Sequence, residues 1–396
     1  MPPSVSGQRA DAVILLDEMA TEQQITEADV YAALARVEDP EIGKPITELD
    51  MVESVAIDGS DVAVGIYLTI AGCPMRETIE SNARAVLEEL DGAGRVSVTM
   101  HAMSDEQRRA LSQKLRGEQT GPVIPFADPD TRTRIYAVAS GKGGVGKSSM
   151  TVNLATALAA QGLTVGIVDA DIYGHSVPGL MGSDDKGPTV VDDMIMPPIA
   201  HGVRHISVGQ FVEGNAPIVW RGPMLTRAIQ QFLADVYWGD LDVLFMDLPP
   251  GTGDVAITVA QLVPNAELII VTTPQAAAAE VAERAGTIAQ QTDQKIAGVI
   301  ENMAGMTLPD GTVLNIFGEG GGEQVAERLT QLTDSDVKLL GSIPLDPQLR
   351  EHGDDGTPVV IAEPDSPAAR AILAVADQLK VRRDSLAGKS LNPRVK

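Results

Sequence analysis

The chain has 396 residues, 44% hydrophobic and 3% aromatic, with 30 basic against 55 acidic side chains and a formal net charge of -25. The apolar content supports a sizeable core and excludes global disorder, and the length favours two domains. The acidic balance and scarce aromatics argue against a nucleic-acid or anionic-membrane partner, while a lone cysteine, Cys73, excludes an intrachain disulfide and suits a reducing cytoplasmic setting.

Residues 1–24 read as a flexible leader. Their apolar run, Ala12 to Leu16, lies between Asp11 and Asp17, too short and too acidic in its flanks for a signal peptide. No other run approaches the roughly 20 apolar residues of a membrane span. Residues 25–103 read as a small α+β domain. Thr26 is expected to cap a helix that turns Val30, Leu34 and Val37 inward. The strand-like runs MVESVAI and DVAVGIYLTI follow, joined by the turn DGSD; then come a helical stretch, RETIESNARAVLEEL, and a last strand, RVSVTM. Residues 104–133 read as a short polar helix followed by a linker with Pro122, Pro125 and Pro129.

From residue 134 to residue 380 the pattern changes. The runs IYAVAS, LTVGIVDAD, LDVLFMDLP, AELIIVTTP, KIAGVIENM and VKLLGSIPL are almost continuously apolar and alternate with helical stretches. That is the pattern of an α/β fold with a mostly parallel sheet covered by helices on both faces. Residues 381–396 form a basic tail without the apolar stripe that a membrane-surface helix needs.

The stretch GKGGVGKS, Gly141 to Ser148, matches G-x-x-x-x-G-K-S/T, the loop whose backbone cradles nucleotide phosphates. It also matches G-x-G-x-x-G through Gly141, Gly143 and Gly146, with Asp169 about 20 residues on, as in a dinucleotide fold. Three features decide for a nucleoside triphosphate. Lys147 and Ser148 supply the ammonium for the β/γ-phosphates and the hydroxyl for magnesium. Asp247 ends an apolar strand where a carboxylate can hold the magnesium water shell. Gly251 follows closely, where its N–H is expected to reach a γ-phosphate. The helix after the loop, with Val152, Ala155 and Leu158 inward and Gly162 as its stop, would aim its N-terminal N–H groups at the phosphates.

A second lysine, Lys142, sits too early to replace Lys147. The string KGGVGKS resembles the deviant phosphate loop of MinD/ParA ATPases. In that class the early lysine reaches the partner subunit's phosphates when two protomers sandwich two nucleotides. The stretches VDADIYGHSVPGLMG, MDLPPGTGD, GVIENM, IFGEGGG and GSIPLDP narrow the resemblance to the Mrp/ApbC branch, ATPases that carry iron–sulfur clusters to apoproteins. It covers roughly residues 133–380. EDPEIG and LTIAGCP in the small domain resemble SufT-like iron–sulfur assembly factors. The resemblance implies a P-loop NTPase acting as a homodimer on ATP with Mg²⁺, a 4Fe-4S cluster as cargo, and apoprotein clients or assembly proteins as partners. It implies that Gly141, Lys142, Gly143, Gly144, Val145, Gly146, Lys147, Ser148 and Ser149 form the ATP-binding loop, with Lys142 and Lys147 catalytic. It further implies that Asp171 positions the attacking water, that Ser148, Asp169 and Asp247 serve the Mg²⁺ shell, and that Asn302 bonds the base. A strand-end turn is the other reading of Asp169 and Asp171.

The chain departs from this pattern where it matters for cargo. Such carriers hold the cluster with a C-x-x-C pair shortly after ENM, but here Leu308-Pro309-Asp310-Gly311 stands in that place. Cys73, just before a helical stretch, is either a reactive thiol or a small buried hydrophobe. Asp39 and Glu41 would assist it, or merely turn the chain at Pro40. His201 and His205 lie in a strand-like segment and do not converge, and no clustered Cys/His set points to zinc. His175, in the segment after Asp171, is assigned no role. The leading reading is an ATP-hydrolysing homodimeric cluster carrier or assembly factor. The alternative is an ATP-gated adaptor or spatial organiser of the MinD/ParA type; a nicotinamide-dependent oxidoreductase is disfavoured by Lys147, Ser148 and Asp247.

Overall fold

A computed structural model of the chain describes residues 25–70, 72–116, 124–128, 130–171, 174–184, 187–211, 222–251, 254–275, 278–308 and 310–380. The leader and basic tail expected from the sequence lie outside them. The chain divides into two compact units, one ending at Ala102 and a larger one from Met103, with Glu41–Gly43 counted in the larger.

In the smaller unit Thr26 opens the helix Glu27–Leu34 with a reciprocal cap. Asp29 N–H donates to Thr26 Oγ1 at 3.3 Å, and Thr26 N–H donates to Asp29 Oδ2 at 2.9 Å. Val30, Leu34 and Val37 are buried, as their spacing requires. Strands Val52–Asp58 and Asp61–Leu68 form an antiparallel hairpin, and Val96–Ala102 adds to the second in parallel. A parallel neighbour needs a crossover, supplied here by the helix Arg76–Glu88, which buries Ile79, Ala83 and Leu87.

The larger unit is built on an eight-stranded sheet among the described residues. Its strands in chain order are β1 (Arg134–Ser140), β2 (Val165–Asp169), β3 (Ile199–Ala200), β4 (Val203–Ser207), β5 (Val243–Asp247), β6 (Glu267–Thr272), β7 (Ile296–Ala304) and β8 (Leu339–Pro344). Their spatial order is β3-β4-β2-β5-β1-β6-β7-β8, parallel throughout except where β3 pairs with β4. The continuous apolar runs are explained by two cores. In β1, Ile135, Ala137 and Ala139 enter one, and Tyr136 and Val138 enter the other. Alternation along a strand thus sends every residue into one apolar layer or the opposite one.

Helix α1 (Lys147–Ala160) follows β1 and is buried from Met150 to Leu158 on every face. It lies between the sheet and the helix Pro367–Leu379 rather than at the surface, so its apolar character is not confined to Val152, Ala155 and Leu158. From β1 the chain passes to β2 beyond β5, whereas β6 joins β1 on its other side. Strand order therefore reverses at β1, and the carboxyl end of β1 is where such sheets leave a ligand crevice.

Part of the segment expected to be linker belongs to this core. A short 3-10 turn, Pro125–Ala127, buries Phe126 edge-on to Trp238, with ring centroids 6.4 Å apart. An aromatic ring of that size is worth more packed than solvated. No helix among the described residues is long and apolar enough to cross a membrane.

Candidate functional site

The glycine loop leaves β1 at Ser140 and enters α1 at Lys147. Gly144 and Gly146 take left-handed φ angles of 75° and 81°, a backbone that a side chain strains. Gly146 is also hemmed in, because an added Cβ would fall 2.3 Å from Asn302 Nδ2. That amide donates to Val145 O at 2.8 Å and braces the loop from behind. Because α1 begins at Lys147, its unsatisfied first-turn N–H groups and positive dipole end face the loop, an arrangement suited to phosphate.

Lys147 is buried. Its Nζ lies 2.7 Å from Asp247 Oδ2 and 3.8 Å from Asp171 Oδ2. Ser148 Oγ donates to Asp247 Oδ2 at 2.5 Å, and Thr151 Oγ1 donates to Asp247 Oδ1 at 2.8 Å. Asp169 is the register partner of Asp247 on the adjacent strand. Its Oδ2 accepts from Ser207 Oγ at 3.0 Å, and its Oδ1 accepts from Asp171 N–H at 3.1 Å. Burial, and next the charge of Asp247, push the Asp169 carboxyl up to about 7, against the opposing pull of Ser207 and Lys147.

Three carboxylates thus face one buried ammonium. A divalent cation with its water shell balances that excess, and the donors fit magnesium: one hydroxyl, Ser148, with Asp169 and Asp247 placed behind it. No cluster of three or more His, Cys, Asp or Glu side chains converges as a direct metal site among the described residues.

Asp171 makes the strand-end turn and also approaches the buried lysine. Its Oδ1 accepts from Gly174 N–H at 3.1 Å, the strand-end turn, while Oδ2 faces Lys147. Gly251 departs from expectation: its N–H, anticipated at a γ-phosphate, is donated to Ser140 O at 2.9 Å. The chain beyond β5 still runs beside β1, and the nearest acceptor is that strand's last carbonyl. Beside Gly146 and Ser149 opens a cavity of about 210 Å³ whose wall includes Asn302, Met303, Pro344 and Leu345. Met303 holds a left-handed φ of 59° in that wall, a conformation costing roughly 1 kcal/mol.

The segment that stands where a cysteine pair was expected, and the thiol of the smaller unit, are each placed locally. Leu308, Asp310 and Gly311 lie at the tip of the hairpin Met306–Thr307/Val313–Leu314, where Gly311 N–H donates to Leu308 O at 2.9 Å; Pro309 is outside the described residues. Cys73 is buried in the smaller unit ahead of the helix Arg76–Glu88, and Asp39 is buried there too. His201 lies in a turn with its Nε2 3.1 Å from Gly356 O, and His205 Nε2 lies 2.6 Å from Ser183 Oγ, so the two do not converge.

The sequence reading passed over several contributors. Thr151 is four residues from Lys147 on one helix, so helical spacing alone would have found it. Ser207 is legible only once β4 is placed beside β2, where it pairs in register with Asp169. Arg284, whose Nη1 donates to Gly141 O at 3.0 Å, and Gln275, which accepts from Lys142 Nζ, come from segments remote in sequence.

Residues 131–380 match the family described as NUBPL iron-transfer P-loop NTPase, and residues 27–100 match the iron-sulfur cluster assembly protein family. The chain is 61% identical over 366 residues to a Mycobacterium tuberculosis protein named iron-sulfur cluster carrier protein, covering 92% of this chain and 96% of that one. An Escherichia coli protein of the same name is 36% identical over 89% of this chain and 91% of its own length. Among solved structures, the nucleotide-binding protein from Archaeoglobus fulgidus in complex with ADP is 37% identical, covers 59% of this chain and 89% of that one, and superposes with a TM-score of 0.50. With a phosphate loop, a strand-end aspartate and a parallel sheet arranged as described, the chain belongs to the NUBPL iron-transfer P-loop NTPases.

Proposed function

We propose that this protein binds ATP with magnesium, hydrolyses it as a homodimer, and serves the transfer of iron–sulfur clusters to apoprotein clients. The observation that carries the nucleotide part is the buried ion pair of Lys147, at the start of α1, with Asp247, at the end of β5, and the hydrogen bond from Ser148 to the same carboxylate. With the nucleotide bound, Lys147 would hold the β/γ-phosphates and Ser148 Oγ would hold magnesium. Asp169 and Asp247 hold the surrounding waters, and Asp171 orients the attacking one. Magnesium supplies neutralisation of the charge shared by the β- and γ-phosphates. The reading for the base is supported by the cavity beside Gly146, whose lining includes Asn302, Met303, Pro344 and Leu345. Lys142 reaches the nucleotide of a second protomer; a lysine, a flexible point charge, suits such a reach.

The cargo part is supported by the relatives' name and by the assembly-protein match over residues 27–100. These favour a carrier over a spatial organiser. Cys73 is the chain's one thiol, so a homodimer offers two thiolates, fewer than the four of a cysteine-held cluster. The remaining ligands then come from another protein.

Phosphate release by the purified chain, compared with Lys147→Ala, tests the nucleotide part. Anaerobic reconstitution with iron and sulfide, read by visible absorbance and acid-labile sulfide, tests the cargo part. Colour that disappears in Cys73→Ser supports a role for that thiol. A wild-type protein that stays colourless, alone and with an apoprotein client, refutes cluster binding.

A further inference from the structure

Lys142 and Gln275 are 133 residues apart in the chain, yet Lys142 Nζ donates to Gln275 Oε1. The sheet brings them together. Ser140, the last residue of β1, is the register partner of Val271 in β6, and both residues sit just past those strand ends. Neither backbone is loosely placed. Ser140 Oγ donates to Lys142 O at 3.0 Å, and Arg284 Nη1 donates to Gly141 O at 3.0 Å. A Cβ on Gly141 would meet Val281 Cγ2 at 2.8 Å, so the loop's first arm is held against the helix Ala278–Thr292. On the other side, a Cβ on Gly321 would lie 2.8 Å from the carbonyl carbon of Pro274, so the residue preceding Gln275 is seated under the start of the helix Gly321–Thr333.

We propose that Gln275 is a positioning residue that holds Lys142 on its own protomer until the nucleotide of a second protomer draws it away. This rests on the two-protomer reading given above. Gln275 presents a neutral amide, so the bond orients the ammonium without cancelling its charge. It also lies at the surface, where a hydrogen bond to a charged group is weak enough for a triphosphate to displace. A carboxylate in the same place would compete with the phosphates; an apolar side chain would leave the lysine unrestrained. Pairing of two protomers therefore includes the breaking of the Lys142–Gln275 bond, and the strength of that bond sets the protein concentration at which pairing occurs.

The test is the dimer fraction of the full chain, by sedimentation velocity across a protein titration with magnesium and a non-hydrolysable ATP analogue. Gln275→Met keeps the side-chain length without the acceptor and should tighten pairing about three- to tenfold. Gln275→Glu should weaken it by a similar factor. In a Lys142→Ala background neither substitution should shift the dimer fraction. Opposite shifts from two near-isosteric changes at one exposed position are not what a structural defect produces. If Lys142→Ala alone pairs as well as wild type, the two-protomer reading fails. If Lys142→Ala is impaired but the Gln275 variants match wild type, shift together, or still shift without Lys142, the role assigned to Gln275 is overturned and the two-protomer reading stands.

Discussion

Asp169 and Asp247 are register partners at the carboxyl ends of two adjacent parallel strands, with Ser207 completing the row beyond Asp169. Both carboxylates are buried, and one ammonium, Lys147, approaches Asp247 alone at hydrogen-bond distance. Burial and mutual repulsion make the pair a site of stored electrostatic strain.

That strain predicts a pH dependence of the ligand-free protein. Asp169 sits at about 7 when folded against an ordinary 3.8, so the folded state retains a proton that the unfolded chain has released. Its stabilisation is complete below the unfolded value and lost as pH rises through the folded one. Denaturant titrations without magnesium or nucleotide, from about pH 4.5 to about pH 8, should show a fall in stability that Asp169→Asn flattens. Equal slopes for variant and wild type would contradict this origin.

Lys147→Met should reduce phosphate release by at least about a hundredfold, since it removes the cation aimed at the transferred group. It also leaves Asp247, which is 0% exposed, without its ion-pair partner. The ligand-free fold should then lose about 3 kcal/mol. Turnover and chemical denaturation measured on one preparation check both effects, and turnover at the wild-type rate would overturn the site.

Gly146→Ala should damage nucleotide binding more than folding. The substitution strains a left-handed backbone by roughly 1–2 kcal/mol and drives a methyl group into Asn302. Asn302→Ala removes the brace on Val145 and should cost about 1 kcal/mol, with weaker nucleotide affinity. Calorimetric titration with ATP resolves the two, and unaltered affinity in both would remove the loop from the binding site.

Lys142→Ala should leave the monomer's thermal unfolding unchanged, because the side chain it removes is only partly buried and bonds to a surface amide. ATP-dependent pairing should fall by about tenfold or more, as expected for losing a charge-assisted contact to phosphate. Light scattering with a non-hydrolysable analogue gives the result. Dimers as abundant as those of wild type would exclude a cross-subunit role.

The phosphate loop, its helix and the strand-end aspartates were legible because each is a local pattern. Glycines sit where φ must be positive, Lys147 and Ser148 sit where a helix begins, and Asp247 closes an apolar run. The two cores were legible as well, in strands apolar on both faces. Phe126 was hidden in a proline-rich segment that reads as linker, because nothing local announces Trp238 as its partner. Gly251 misled for a related reason, since the competing acceptor, Ser140 O, lies on another strand.

Residue order alone determined the α/β architecture and the phosphate-loop pattern, since both rest on periodicity and spacing, while the family resemblance marked Leu308 to Gly311 as the place of a missing cysteine pair. Only the tertiary structure decided that Ser207 steadies Asp169, that Asn302 props the loop and that Gln275 holds Lys142. These pairings join residues 38 to 157 positions apart. Strand order and register create them, and no short-range pattern in the chain encodes which strands become neighbours.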